Sequence, residues 1–347
     1  MRKLNSIFLI QFLIFLLVIS LFAQNNQKDQ FVNILEEVSL GDVKQWILIR
    51  GESTENPILL FLHGGPGFPE MPFVHIDSPE LEKHFLVINW DQRGAGKSYN
   101  SNIPKETMNL KQFLADTQEL IQLLRKRFTK EKIFLLGHSW GSVLGLYTAY
   151  HHPNWFHAYI GMGQVVNMKQ GEAASYEYTI TKAKEAGDTE ALEILQKIGP
   201  PPDWTGHQNV SAQRQLLAKY GGSFRNITYM DLGNWWFSSP HYTDNDKQNL
   251  MPAFMQTQNL MWESLKGIDF FKDVPELQVP VYFFTGRYDY QTPFTILEKY
   301  FNKLDAPYKQ IVWFENSGHT PNLDEPEAYQ EKLINIVLKN YNTSREK

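Results

Sequence analysis

Short, nearly continuous apolar runs recur along the chain and predict buried β-strands. Runs rich in β-branched and aromatic residues predict strands at Phe31–Val38, Val43–Ile49, Ile58–Leu62, Phe85–Asn89, Lys132–Leu136, Ala158–Met162, Pro280–Phe284 and Gln310–Phe314. Apolar runs without alternating polar residues are typical of strands covered on both faces, as in a mostly parallel sheet.

Helical periodicity alternates with these runs. From Leu110 the apolar positions repeat at intervals of three and four, which predicts an amphipathic helix with Asn109 as its cap. A last helix is predicted at Pro326–Leu338. The alternation predicts one α/β domain with a mostly parallel eight-stranded sheet.

The alternation stops between Gly163 and about Gly267, where helical segments carry Pro201-Pro202, Gly221-Gly222 and clustered aromatic residues. We interpret residues 163–267 as a helical cap inserted into the sheet domain, whose two parts are then residues 31–162 and 268–340. A second, unrelated domain is the alternative, but strand-like runs resume after this stretch and favour an insertion.

The first 23 residues differ from the rest of the chain. Arg2 and Lys3 precede an apolar run from Ile7 to Phe22, and the pattern predicts a signal peptide cleaved after Ala23. The expected location is therefore outside the cytoplasm, periplasmic or secreted. An uncleaved membrane anchor through residues 7–23 is the alternative, and only then is a membrane partner expected.

Charge and composition narrow the classes of function. The 347 residues carry a formal net charge of −5 without a long basic run, so nucleic acid is not an expected partner. The chain has no cysteine, which excludes disulfides, thiol catalysis and thiolate metal sites. A small or peptide-like ligand fits this composition better.

The segment Gly137–Gly141 (GHSWG) carries the strongest chemical signal. It follows a predicted buried strand and precedes an apolar helical stretch, which is the context of a G-x-S-x-G nucleophile turn. Glycines flank the serine because the turn is tight and neighbouring backbone approaches closely. Ser139 is therefore the predicted nucleophile.

A serine hydroxyl needs a base, and the base needs an acid that orients it. Asp289 follows the strand Pro280–Phe284, and His319 follows the strand Gln310–Phe314. Catalytic groups collect at the carboxyl ends of strands in open α/β sheets. The chain order serine, aspartate, histidine is also that of α/β hydrolases, so the sequence predicts Ser139, Asp289 and His319 as a triad.

The oxyanion of such a reaction needs two backbone N–H donors. One comes from the residue after the nucleophile, here Trp140. The other comes from a loop after an early strand, and the glycine-rich segment His63–Gly67 (HGGPG) follows the strand Ile58–Leu62. Gly65 is the candidate for this second donor.

Five segments together resemble the proline iminopeptidase branch of the α/β hydrolases, over about Phe31 to Leu338: HGGPG at 63–67, DQRGAGKS at 91–98, GHSWGS at 137–142, GRYD at 286–289 and SGH at 317–319. The resemblance implies an α/β-hydrolase fold and removal of an N-terminal residue, typically proline, from short peptides through an acyl-enzyme. It also implies that no metal or other cofactor is needed.

The resemblance further implies that glutamates of the cap bind the free α-amino group of the substrate. Glu263 is the best match, and Glu172 and Glu177 are candidates for a second contact. An esterase or amide hydrolase with a cap for an uncharged acyl group is the alternative enzyme. A non-catalytic receptor is disfavoured, because it would not need a triad and an oxyanion loop.

Overall fold

The computed structural model describes residues 31–201 and 207–345. In this part of the chain one sheet contains eight strands in the order β1-β2-β4-β3-β5-β6-β7-β8. Their bounds are Val32–Leu40 (β1), Val43–Gly51 (β2), Ile58–Leu62 (β3), Leu86–Asp91 (β4), Ile133–His138 (β5), Phe156–Met162 (β6), Val281–Gly286 (β7) and Lys309–Phe314 (β8). Strand β2 is antiparallel to β1 and β4, and the remaining pairs are parallel. The predicted fold class is confirmed.

Helices cover both faces of the sheet and form the region between β6 and β7. Their bounds are Val74–Asp77 (α1), Leu81–His84 (α2), Leu110–Arg127 (α3), Trp140–His151 (α4), Met168–Glu185 (α5), Thr189–Ile198 (α6), His207–Lys219 (α7), Tyr229–Ser238 (α8), Asp244–Leu265 (α9), Phe270–Asp273 (α10), Phe294–Lys303 (α11), Pro321–Asp324 (α12), Pro326–Lys332 (α13) and Lys339–Arg345 (α14). Short 3₁₀ turns lie at Met71–Phe73, Gly96–Ser98, Lys105–Thr107 and Pro153–Trp155, and a π-helical segment, Leu333–Leu338, follows α13.

Strand β3 shows why its apolar run has no polar alternation. Leu60 and Leu62 pack into the larger hydrophobic core, whereas Leu59 and Phe61 pack into a second core. Successive strand residues point to opposite faces, so a strand between two helical layers needs apolar residues at every position. The same requirement makes β4, β5 and β7 fully buried.

Some strands and helices end at residues other than those predicted. For a strand, the reason is that hydrogen-bonded pairing with the neighbouring strand, and not hydrophobicity, sets its end. Trp90 and Asp91 belong to β4 because they pair with Ile47 and Trp46 of β2. The predicted last helix instead ends as α13 at Lys332, continues as a π-helical segment and then as α14. The predicted cap of helix α3 is confirmed, since the Asn109 side chain accepts a hydrogen bond from Gln112 N.

The loop after β4 is held by a fully buried ion pair. Arg93 Nε lies 2.8 Å from Asp116 Oδ2 on helix α3, and both side chains have no exposed area. Arg93 Nη2 also donates to the backbone oxygens of Leu40 and Gly41 at the β1–β2 turn. The pair therefore links three segments, and each charge has the partners that burial requires.

The helices between β6 and β7 are anchored to loops of the sheet domain. Tyr242 OH donates to Asp91, and burial raises the pKa of this aspartate to about 7. Thr257 Oγ1 donates to Gly94 O, and Gln258 Nε2 donates to Pro66 O. These contacts place helix α9 over the edge of the sheet at which β3 and β4 end.

The described residues contain no helix that is both long and apolar enough to cross a membrane. The predicted leader, residues 1–23, lies outside the described residues.

Candidate active site

Ser139 occupies the sharp turn between β5 and α4. Its φ and ψ angles are +52° and −116°, a conformation that non-glycine residues rarely adopt. The turn is held on both sides, because Ser139 N donates to Met162 O at 2.9 Å and Ser142 N donates to Ser139 O at 2.9 Å. The backbone strain is thus located at the predicted nucleophile.

The glycines beside Ser139 are required by close packing. A Cβ atom on Gly137 would collide with the Gly141 carbonyl, and one on Gly141 would collide with the Leu62 carbonyl. On the facing loop, a Cβ on Gly64 would lie 3.1 Å from the Ser139 Cβ. The GHSWG segment and the HGGPG loop therefore meet at the nucleophile.

Asp289 and His319 lie together at the ends of β7 and β8. His319 Nδ1 donates to Asp289 Oδ2 at 3.0 Å, and both side chains are buried. Asp289 Oδ1 accepts from the backbone N–H groups of Gln291 and Thr292 at 3.0 and 2.9 Å. The carboxylate is therefore fixed, and it orients the imidazole through Nδ1.

His319 Nε2 faces the opposite way, without a hydrogen-bond partner among the described residues. Since Nδ1 carries the proton shared with Asp289, Nε2 has a free lone pair, as a general base requires. His319 and Ser139 line the same cavity. The structure thus brings together the three residues that the sequence predicted as a triad.

Two further residues, Thr292 and His138, keep His319 in position, and no sequence pattern indicated this role for either. Thr292 Oγ1 donates to Asp289 Oδ2 at 2.9 Å and lies 3.2 Å from His319 Nδ1. The His138 ring lies 4.9 Å from the His319 ring, and His138 Nε2 donates to His319 O at 3.0 Å. Burial, together with the neighbouring His319, lowers the pKa of His138 to about 3, so His138 stays neutral.

Gly163 lies directly against the imidazole, which leads to a testable prediction. A Cβ at Gly163 would be 2.7 Å from His319 Cε1, and its φ of +52° disfavours any side chain. We expect Gly163→Ala to lower kcat by about 10- to 100-fold, because it displaces the base. The measurement is kcat together with the free energy of unfolding.

Gly187→Ala is the matched control for this change. Gly187 has a φ of +63°, but a Cβ placed there would meet none of the described residues within 4 Å. We expect Gly187→Ala to lose roughly 1 kcal/mol of stability from its backbone conformation alone, with kcat unchanged. Gly163→Ala should lose more, because the new Cβ also collides with His319. Equal kcat in the two variants would contradict the claim that a side chain at position 163 displaces His319.

The predicted oxyanion donors border the cavity beside Ser139. Gly65 and Trp140 both line it. Trp140 is the first residue of α4, so its backbone N–H has no acceptor within the helix. Gly65 has a φ of +111°, and a Cβ there would lie 2.5 Å from Gly67 N. Gly65 and Trp140 therefore both border the cavity at Ser139, and their role as oxyanion donors stays a prediction.

A neutral histidine supports the glycine-rich loop. Burial lowers the pKa of His63 to about 4. His63 Nδ1 donates to Gly64 O at 2.8 Å, and Nε2 accepts from Gln92 N at 3.1 Å. Gln92 in turn accepts from the Trp140 indole at 2.9 Å. The glycine-rich loop and the start of helix α4 are therefore connected by one hydrogen-bond network.

The cavity above Ser139 has a volume of about 600 Å³ and is walled largely by apolar and aromatic side chains. Its acidic and basic side chains, apart from histidines, are Glu70, Glu172 and Arg214. Glu172 on α5 is buried, and its Oε1 pairs with Arg214 Nη2 on α7. Its Oε2 is buried without a partner among the described residues.

The other two predicted glutamates lie elsewhere. Glu263 is not among the cavity-lining residues, its side chain is 72% exposed, and it pairs with Lys266, the residue directly after α9. Glu177 is exposed on α5 and does not line the cavity. Their positions do not allow contact with a substrate amine at Ser139, so of the three candidates only Glu172 is suitably placed.

Glu70 is a cavity residue that no sequence signal indicated. Asn322 Nδ2 donates to Glu70 Oε1 at 2.6 Å and to Asp77 Oδ2 at 2.9 Å. Burial, followed by repulsion from Asp77, raises the pKa of Glu70 well above its ordinary value, and burial raises that of Asp77 to about 6. Both carboxyl groups are therefore protonated more easily than ordinary carboxyl groups.

Within residues 31–201 and 207–345 no group of three or more histidine, aspartate or glutamate side chains is placed to hold a metal ion.

The sequence is similar to a known protein family and to individual members of it. Residues 81–326 match the family model described as serine aminopeptidase, S33. The probable aminopeptidase YbaC of Bacillus subtilis is 34% identical over 305 residues, which is 87% of this chain and 95% of that protein. A proline iminopeptidase of Clostridium botulinum is 27% identical over 86% of this chain and 96% of its own length.

Solved structures agree at the level of the fold. The proline iminopeptidase of Mycobacterium smegmatis superposes with a TM-score of 0.63 at 17% identity, covering 90% of this chain and 100% of that one. An esterase from Exiguobacterium antarcticum superposes with a TM-score of 0.59 at 21% identity, covering 88% and 100%. Because a peptidase and an esterase fit similarly, the fold does not distinguish their substrates.

Proposed function

The chain belongs to the S33 serine aminopeptidase family, and from that membership we propose that it releases the first residue, preferably proline, from short peptides with a free amino terminus. One observation carries the proposal. The cavity that holds Ser139 and His319 also contains the buried carboxylate of Glu172, whose Oε2 lacks a partner among the described residues. A buried, unpaired acceptor is what a substrate ammonium group needs.

The proposed reaction begins with attack of Ser139 Oγ on the first peptide carbonyl carbon. His319 Nε2 accepts the hydroxyl proton, and Asp289 stabilises the resulting imidazolium. The backbone N–H groups of Gly65 and Trp140 donate to the oxyanion. His319 then returns the proton to the leaving amine, and the C–N bond breaks to give an acyl-enzyme.

Hydrolysis of the acyl-enzyme repeats these steps with water as the nucleophile. His319 Nε2 takes a proton from the water molecule, whose oxygen attacks the acyl carbon. Collapse of the tetrahedral intermediate returns the proton to Ser139 Oγ. The products are the free first residue and the shortened peptide.

Glu172 is proposed to select substrates with a free amine. Arg214 already occupies Oε1, so Oε2 is the oxygen that accepts from the ammonium group. Burial strengthens this charge-assisted hydrogen bond, because water does not compete with it. An N-blocked substrate cannot donate in the same way and leaves Oε2 unpaired.

We expect Glu172→Gln to raise KM for free-amine substrates about tenfold or more, since a neutral amide keeps the contact with Arg214 but loses the attraction for a cation. The measurement compares a prolyl anilide with a short-chain ester that has no amine. Glu177→Gln and Glu263→Gln are matched controls, and both should behave like the wild type. An equal loss on the ester would contradict a role in amine recognition.

An esterase or amide hydrolase of small acyl substrates is the second candidate function. The apolar cavity walls favour it, because they would also accept an uncharged acyl group. It uses the same nucleophile and base, and Glu172 would then serve only to pair with Arg214.

The test is hydrolysis of proline, alanine and leucine anilides beside N-acetylproline anilide and a butyrate ester. The proposal predicts cleavage of the free-amine anilides, fastest for proline, and no cleavage of the blocked one. Cleavage of the ester alone would contradict the proposal and assign the esterase. The Ser139→Ala variant shows the background rate.

We also propose that the protein acts outside the cytoplasm, after removal of residues 1–23 or anchored through residues 7–23. The basis is the charged and then apolar start of the sequence. Amino-terminal sequencing of the protein recovered from separated cell fractions tests this. A start after Ala23 in an extracytoplasmic fraction supports cleavage, whereas an intact start in the cytoplasm contradicts export.

A further inference from the structure

The exposed residues that line the active-site cavity are mainly apolar, with the polar Gln215 of α7 also among them. Tyr229, Phe237 and Met251 line the cavity, yet 49%, 60% and 50% of their surface is exposed. They therefore connect the interior of the cavity with the outer surface of the protein. Scattered single apolar residues are common on surfaces, but exposed apolar residues that also line a cavity indicate a binding surface.

Helices α8 and α9 each line the cavity with residues of one helix face. On α8 the cavity-lining residues are Tyr229, Leu232, Gly233, Trp236 and Phe237. On α9 they are Met251, Phe254, Gln258, Trp262 and Leu265. These positions recur at intervals of mainly three and four, so each helix presents one stripe to the cavity. On α9 the stripe runs from the buried Trp262 to the exposed Met251, whereas on α8 the exposed Tyr229 and Phe237 lie at opposite ends of the stripe.

The direction of a bound peptide follows from the proposed function, on which this inference rests. The amino terminus lies at the buried Glu172, and the first carbonyl lies at Ser139. Only one residue precedes the bond that breaks, so the rest of the peptide must continue toward the open edge of the cavity. The second residue of the peptide therefore lies toward the exposed residues that line the cavity.

We propose that Phe237 and Met251 form a subsite for an apolar side chain at the second residue of the peptide. The charged residues that line the cavity, Glu70, Glu172 and Arg214, are buried or half-buried and lie outside this group. A charged second residue thus gains no ionic partner from the subsite. Methionine adapts its shape easily, so the subsite accepts leucine, methionine or phenylalanine alike.

The experiment compares hydrolysis of prolyl-leucinamide with that of prolyl-serinamide by the wild type and by the double variant Phe237→Ser, Met251→Ser. Both replaced side chains are at least half exposed, so the fold should be retained. We expect a wild-type kcat/KM ratio of about tenfold in favour of leucine, from burial of apolar area, and a ratio near twofold in the variant.

The double variant Met230→Ser, Met255→Ser is the matched control. These methionines are 76% and 48% exposed on the same two helices but do not line the cavity. The control should keep the wild-type ratio. A variant ratio equal to that of the wild type would overturn the subsite.

Two other outcomes have distinct meanings. If the wild type cleaves no free-amine substrate, the proposed function fails and the subsite fails with it. If the wild type cleaves both peptides but forms a dimer that dissociates in Phe237→Ser, with unchanged selectivity, the exposed apolar residues form a contact between copies and the subsite is contradicted.

Discussion

Ser139→Ala lowers kcat by about 10⁴- to 10⁶-fold, because it removes the hydroxyl that forms the acyl-enzyme beside His319. The remaining activity comes from binding and from the oxyanion donors. The free energy of unfolding should change little. The backbone hydrogen bonds of Ser139 to Met162 and Ser142 remain, and the alanine adopts the same φ of +52° at a cost similar to that of serine.

Steady-state kinetics on the best free-amine anilide measures this effect, with thermal unfolding as the check on the fold. Ser211→Ala is the control, since Ser211 lines the same cavity from helix α7. It should keep kcat within a few-fold of the wild type. If Ser139→Ala retained a large part of the activity, the nucleophile would have to be sought elsewhere.

Asp289→Asn should lower kcat by about 10³- to 10⁴-fold, the second largest effect. Asp289 Oδ2 accepts the Nδ1 proton of His319 at 3.0 Å and thereby leaves Nε2 free as the base. An asparagine amide can donate to Nδ1 instead, which favours the tautomer with its proton on Nε2. It also removes the charge that stabilises the imidazolium.

Thr292→Val is the comparison for Asp289→Asn. It perturbs the surroundings of Asp289 but leaves the negative charge of Asp289 in place. The variant loses the hydrogen bond from Thr292 Oγ1 to Asp289 Oδ2 but keeps the carboxylate and its contact with His319. We expect a loss of about tenfold, near the lower end for one hydrogen bond to a charged group. Similar losses in the two variants would contradict the tautomer argument.

The sheet could be predicted because its strands are buried on both faces. Strand β3 coincides with the apolar run Ile58–Leu62, since every residue of it enters one of the two cores. Other strands extend beyond their apolar runs. Gly137 and His138 belong to β5 because they pair with Gly161 and Met162, and such pairing has no local signal.

The triad could be predicted because each member has a local context, a strand end or a strand-turn-helix junction. The amine-binding glutamates could not, because the orientation of a helix depends on its tertiary packing. Trp262 on α9 faces the cavity, so Glu263, rotated by about 100°, faces solvent. Glu172 lies one helical turn after Met168, which also lines the cavity, so the two share a helix face.

Thr292 and Glu70 had no sequence signal for a different reason. Thr292 reaches His319 only because the loops after β7 and β8 meet. Glu70 borders the cavity through a contact with Asn322, which is 252 positions away in the chain. Long-range contacts of this kind become visible only in the folded structure.

The most direct test of the account is labelling with a phosphonofluoridate, which reacts with activated serine hydroxyls. We expect one phosphonyl group per chain, located on Ser139 by mass spectrometry of peptides, with activity lost in proportion to labelling. Asp289→Asn should slow the labelling, and Ser139→Ala should abolish it. A label on another residue, or full activity after labelling of Ser139, would contradict the assignment of Ser139 as the nucleophile.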